Sequence, residues 1–200
     1  MYASAFVLGF HGCDEAVGER VLAGKDHLHR SANKYDWLGH GVYFWENSPQ
    51  RAAEWARFIK TRPELFRSRI ERPFVVGAII DLGECLDLTE ASSLGMVKTA
   101  HAEFKAAFEL AGFPLPVNQP GGKGDEDLVK RHLDCAVINY VHDLRRKRRR
   151  PRFDTVRGAF FEGKPLYDGA KIMAKTHIQL CVRSRSSILG YFRPMNMDPL

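Results

Sequence analysis

Apolar positions recur with two periods along this chain, and the change from one to the other predicts where strands give way to helices. Residues 1–10 are short and largely apolar and read as a first strand that ends in Phe10-His11-Gly12. Asp14 then stands where a helix cap belongs, ahead of Ala16, Val17, Val21 and Leu22 on one side, with Gly24 where that helix stops. A second helix is predicted over residues 49–60. Pro49 suits its first position, Ser48 or Asn47 can cap it, and Ala52, Trp55, Ala56 and Ile59 fall on one face. Residues 74–82 form an apolar run rich in β-branched side chains and closed by Gly83, the pattern of a strand buried on both faces, and Leu86-Asp87-Leu88 extends the sheet.

Two stripes of helical period follow. One runs through Ala100, Phe104, Ala107, Phe108 and Ala111; the other runs through Val129, Leu133, Ala136, Val137, Tyr140, Val141 and Leu144. Residues 114–124 between them are rich in proline and glycine and read as a loop. Strand-like runs return at residues 153–161, 176–182 and 188–192. Strands at both ends with helices between them predict an α+β fold rather than a doubly wound parallel sheet.

Composition narrows this picture. With 200 residues and 44% hydrophobic content the chain can bury a sizeable core, and no repeat, linker or low-complexity tract divides it. One domain over residues 1–200 is expected, with residues 90–150 as a helical insertion. The N-terminus lacks a basic leader and the length of a membrane span, so a soluble, cytoplasmic protein without membrane contact is predicted. Cys13, Cys85, Cys135 and Cys181 are widely spaced with no C-x-x-C pair and read as reduced thiols. The net charge of +6 is concentrated in Arg145-Arg146-Lys147-Arg148-Arg149-Arg150-Pro151-Arg152. That run either complements the end of a helix dipole or contacts nucleic acid or an acidic protein.

Candidate chemistry lies in three stretches. In Phe10-His11-Gly12, a strand delivers an imidazole and then a stretch of backbone with no side chain in the way. In "WLGHGVYFW", residues 37–45, Gly39 and Gly41 allow a tight turn, and the strand after them sets Tyr43 and Trp45 on one side, where an aromatic face can stack on a flat ring or simply fill a core. The third is "THIQLCV", residues 176–182. Together, "FHG", "GHGVYFWENSPQRAAEWA" at 39–56 and "THIQLCV" resemble, in order, the signature regions of the ADP-ribosyltransferases of the diphtheria-toxin and poly(ADP-ribose) polymerase class.

The resemblance implies an ADP-ribosyltransferase-like fold in which two small antiparallel β-sheets form an NAD cleft with peripheral helices. It implies that His11 holds the 2′-hydroxyl of the nicotinamide ribose, that Gly12 binds the carboxamide through its backbone, and that Tyr43 packs on the nicotinamide ring. Trp55 is the candidate for a second stacking aromatic, or else a core residue on its helix. Gln179 stands where polymerising members carry a glutamate. It accepts a hydrogen bond from a ribose hydroxyl but adds no charge against a cationic transition state, which implies mono-ADP-ribosyl transfer from NAD+ rather than chain elongation. Glu162 reads as an ordinary residue of the loop that meets the target, with supply of the missing carboxylate as its other role. The family's habits suit a bacterial or phage toxin or effector acting on a macromolecular acceptor, protein or nucleic acid.

Rival readings are a catalytically inactive module that binds NAD-like ligands or nucleic acid, and an aromatic strand that stacks bases. Asp26-His27-Leu28-His29 with His40 matches no strong zinc spacing, and no metal is expected.

Overall fold

The computed structural model describes residues 6–65, 69–121 and 127–195. It is an α+β structure, as expected. Strand β1 (Phe6–Asp14) precedes α1 (Glu15–Leu22), β2 (Val42–Glu46), α2 (Pro49–Thr61), β3 (Pro73–Asp81) and β4 (Cys85–Asp87). Then come α3 (Ala91–Leu110), α4 (His132–Lys147), β5 (Thr155–Phe160), β6 (His177–Val182) and β7 (Ile188–Phe192). Residues 1–5 of the first predicted strand and residues 122–124 of the predicted loop lie outside the described residues.

Local chemistry explains the boundaries. Asp14 caps α1 as expected, accepting from the Ala16 N–H, and its other oxygen accepts from the N–H groups of Glu71 and Arg72, so one carboxylate closes a helix end and pins the chain entering β3. Ser48 occupies the cap position of α2 without a side-chain cap bond; Pro49 at the first turn sets the helix start. The buried face of α2 is Ala52, Ala53, Ala56 and Ile59. Trp55, expected on that face, is 37% exposed. The reason is the close approach of β1: a Cβ on Gly12 would overlap the Ala52 carbonyl oxygen, so only small side chains fit between helix and strand. Helix α3 begins about two turns before its predicted stripe, at Ala91, and α4 starts after Val129, at His132.

In place of the two antiparallel sheets expected, the described strands form one seven-stranded sheet in the order β4-β5-β6-β2-β1-β3-β7. It is mixed, because β4 runs parallel to β5 while the other neighbours are antiparallel. The join between its halves is narrow. β1 and β3 stay in register from Phe6–Asp81 to Asp14–Pro73, whereas β1 and β2 share only Gly9–Glu46 and Phe10–Trp45. β1 does not end at His11 and Gly12 as expected; it continues to Asp14 with β3 alone beside it in register.

Side chains sort onto the sheet faces by the two-residue period. Cys13, Phe44, Val76, Ile80, Leu180 and Val182 pack with Val21 of α1, while Leu86, Val156, Phe160 and Cys181 pack with Ile138 and Val141 of α4 and Ala100 of α3. A smaller cluster of Phe10, Trp45, Ala52, Ala53 and Val75 fixes α2 over the join. No helix among the described residues is long and apolar enough to cross a membrane.

Candidate functional site

The three strands that carry His11, Tyr43 and Gln179 are neighbours in the sheet: β1, β2 and β6. His11 sits just past the last β1–β2 pair, and its Nδ1 donates to the Tyr43 carbonyl oxygen at 2.7 Å, bridging the strands where their ladder stops. Its ring stands edge-on to Phe44, with centroids 5.8 Å apart. Burial lowers the His11 pKa, although the bond to Tyr43 opposes it. The imidazole is therefore neutral near pH 7, with its hydrogen on Nδ1 and a lone pair on Nε2. That lone pair can accept a hydrogen bond.

Tyr43 is pinned at its far end. Its hydroxyl donates to the Gly39 carbonyl at 2.6 Å and accepts from the Leu38 N–H at 2.9 Å, and its ring packs against the cluster beneath α3 and α4. Gly39 has φ +77°, which completes the turn the sequence suggested, and a Cβ on Gly41 would overlap Cys181 Sγ. Burial drives the Tyr43 pKa well up, so the phenol stays protonated and donating. Tyr43→Ala thus removes two hydrogen bonds and core volume together, and is not a neutral probe of ligand stacking.

Gln179 pairs with Trp45 across β2–β6 and with Gly158 across β5–β6. Directly paired residues share a sheet face, and so do residues two apart, which puts Gln179 diagonal to Tyr43 on the face of Trp45 and His177. His11 pairs with Val76 across β1–β3 and stands against Phe44, which places its side chain on the opposite face of the sheet, the α1 side, so the three residues meet at the seam through the bond from His11 to the Tyr43 backbone and not on one face. Trp55 joins Trp45 and Phe58 in a row of tilted rings with centroids 6.0 and 5.9 Å apart. Gly12 faces Ala52 of α2, a packing demand that by itself requires glycine.

The structure surrounds Glu162, which the sequence offered as a loop residue or as the missing carboxylate, with partners that the sequence did not point to. Glu162, two residues beyond the end of β5, is only 7% exposed. Its Oε2 lies 3.8 Å from His177 Nδ1, which donates to the Lys175 carbonyl at 2.7 Å. His177 is flanked by Phe160 and Trp37, and the Arg131 guanidinium lies 4.3 Å above the Trp37 ring. Burial raises the Glu162 pKa to about 7, helped by Asp127 and opposed by Arg131, Arg51 and Lys175. Burial, with Arg51 and Arg131, lowers that of His177. Arg51 Nε, Arg131 Nε, His177 Nε2 and Trp45 Nε1 are buried without a hydrogen-bond partner among the described residues. The one sequence signal was Glu162 itself, a carboxylate between an aromatic pair and a glycine; its cations come from positions 51, 131 and 175, too far apart to be read together.

This titration has a consequence for stability. A folded Glu162 that titrates at about 7, against 4.5 when free, gives stability that is fully present below pH 4.5 and is lost as pH rises through 7. Glu162→Gln is expected to raise the unfolding free energy at pH 8.5 by roughly 2–3 kcal/mol and to change it little at pH 4.5, as measured by urea titration at both pH values.

The basic run is partly consumed by local pairing. Arg145 stacks on Phe153 at 3.9 Å and pairs with Glu84, Arg146 pairs with Asp143, and Arg148 holds both oxygens of Glu103. Lys147, Arg149, Arg150 and Arg152 are exposed. A cleft of about 640 Å³ lined by Met96, Glu103, Val141 and Arg148 opens between α3 and α4, and it shares no residue with the strand-centred site. All four cysteines are free, and burial raises the thiols of Cys13 and Cys181 to about 12 and those of Cys85 and Cys135 to about 11, which leaves no activated thiolate. Among the described residues no three His, Cys, Asp or Glu side chains converge as metal ligands.

Comparison of the chain with protein-family models, curated proteins and solved structures found no match.

Proposed function

We propose that this protein is a mono-ADP-ribosyltransferase that moves ADP-ribose from NAD+ to a macromolecular acceptor and releases nicotinamide. The observation that carries this reading is the narrow seam between β1 and β2: three adjacent strands bear His11, Tyr43 and Gln179, and the His11 imidazole spans the point where the ladder stops. The seam supports a cleft between two half-sheets like that of the family the sequence resembles.

In this reading the neutral His11 accepts from a ribose hydroxyl through Nε2. The backbone at Gly12 lies beyond the last β1–β2 pair of the described residues and offers its amide edge to a carboxamide. The pinned Tyr43 and the Trp45–Trp55 pair supply aromatic surface for the nicotinamide ring. Cleavage of the nicotinamide glycosidic bond builds oxocarbenium character on the ribose, so positioning and electrostatic complementarity do most of the work, and NAD+ enters as substrate. Gln179 contributes a carbonyl acceptor on the Trp45 face but no charge.

Incubation with NAD+ labelled in the adenylate and a cell lysate tests the proposal. Label is expected to appear on macromolecules with stoichiometric release of nicotinamide. Saturable NAD+ binding with no nicotinamide release would instead identify the non-catalytic binding module. Mass spectrometry of the labelled species identifies the acceptor.

A further inference from the structure

The transferase reading leaves one chemical requirement unmet. The acceptor loses a proton as it attacks, and Gln179 has no basic oxygen to take it. We propose that Glu162 is the catalytic carboxylate of this site, taking the acceptor's proton, with His177 as its positioning residue. This inference rests on the transferase reading above.

The placement follows from the strands. Phe160 pairs with His177 and Gly158 with Gln179, so His177 and Gln179 share one face of β6, and Glu162 follows Phe160 by two residues on the adjoining strand end. Its Oε2 approaches the His177 ring at 3.8 Å, beside the face that presents Gln179 and Trp45. A carboxylate buried for packing alone would be saturated by hydrogen bonds, because an unmet charge is costly. Around Glu162 stand polar atoms that are buried without a hydrogen-bond partner among the described residues: Arg51 Nε from α2, Arg131 Nε from the start of α4 and His177 Nε2 from β6. Unpaired donors and a lone pair around one carboxyl are the arrangement of a site that a polar ligand completes.

The step balances. A lone pair of the acceptor's O–H or N–H forms the bond to the ribose C1′. The C1′–nitrogen bond to nicotinamide breaks, and its electron pair neutralises the pyridinium ring, which leaves. The acceptor's proton passes to a Glu162 oxygen and from there to solvent. Arg51, Arg131 and Lys175 favour the ionised carboxylate, while burial and Asp127 oppose it, so its titration falls where a base can both take and return a proton. His177, anchored through Nδ1 to the Lys175 carbonyl, fixes the wall against which Glu162 rests.

The test compares the intact wild-type chain with Glu162→Gln and Glu162→Asp, using labelled NAD+ and lysate for transfer and calorimetry for NAD+ binding. Wild-type kcat/KM for transfer is expected to rise with pH along an acid limb near 7. Glu162→Gln should lose about 10²–10⁴-fold in transfer and lose that limb, while NAD+ affinity stays within about threefold. Glu162→Asp, which keeps the charge but shortens the reach, should keep the limb at a reduced rate. Wild-type rates and an unchanged limb in Glu162→Gln would make Glu162 a structural residue and leave the transferase reading standing. If the wild type releases no nicotinamide, both fall together.

Discussion

Arg157→Ala is expected to lower the unfolding free energy by about 3–5 kcal/mol, the largest stability effect anticipated for a single surface-reaching side chain here. Arg157 in β5 donates from Nε and Nη2 to both carboxylate oxygens of Glu46 at 2.7 and 3.0 Å, and from Nη1 to Asp87 at 3.0 Å. One guanidinium thereby ties β2, β4 and β5 together on the face opposite Gln179. Glu46 is only 9% exposed at its side chain, so removing the cation leaves a carboxylate in poor contact with water and without its partner. The bonds to Glu46 hold the Arg157 pKa above its ordinary value, and at Asp87 burial is outweighed by the hydrogen bonds from Thr89 together with Arg157, which keep that carboxyl below its own. Urea unfolding checks the value. Combining Arg157→Met with Glu46→Gln and Asp87→Asn should recover a large part of the loss, since the penalty lies in the unpaired charges; a triple variant no more stable than Arg157→Ala would refute that account.

His11→Asn should reduce nicotinamide release and label transfer on the order of 10²-fold or more while leaving the fold within about 1 kcal/mol of wild type. The asparagine amide reaches where Nδ1 lies, so the bond to the Tyr43 carbonyl survives and the seam stays closed, but nothing replaces the Nε2 lone pair. His11→Ala, by contrast, should lose both, adding a fall in stability of about 1–2 kcal/mol. Parallel transfer assays and denaturation curves separate the two effects. An asparagine variant with wild-type transfer would remove His11 from the proposed chemistry and leave it as a structural bridge.

Most of the local architecture was legible because it is written in short-range chemistry. The Asp14 cap, the Pro49 start, the β-branched run of β3 and the turn at Gly39 each depend on residues within a few positions of one another. The departures have an equally physical origin. Trp55 carries the helical period of a core residue, yet the space beneath α2 is set by how closely Gly12 lets β1 approach, and that contact spans forty residues. The expectation of two antiparallel sheets failed at two places: the Gly9–Glu46 and Phe10–Trp45 pairs, and the parallel β4–β5 pair. Strand pairing between distant segments leaves no periodic mark.

The candidate site divides in the same way. The residue types at 11, 12, 43 and 179, and their order, belong to the sequence, as do the strands that carry them. That β6, β2 and β1 lie side by side, that the His11 imidazole bonds the Tyr43 carbonyl, and that Glu162 is buried among cations from positions 51, 131 and 175 were decided by the tertiary structure alone. Propensity and capping act over one or two turns of chain, whereas the burial and charge environment of a side chain depend on every segment folded against it.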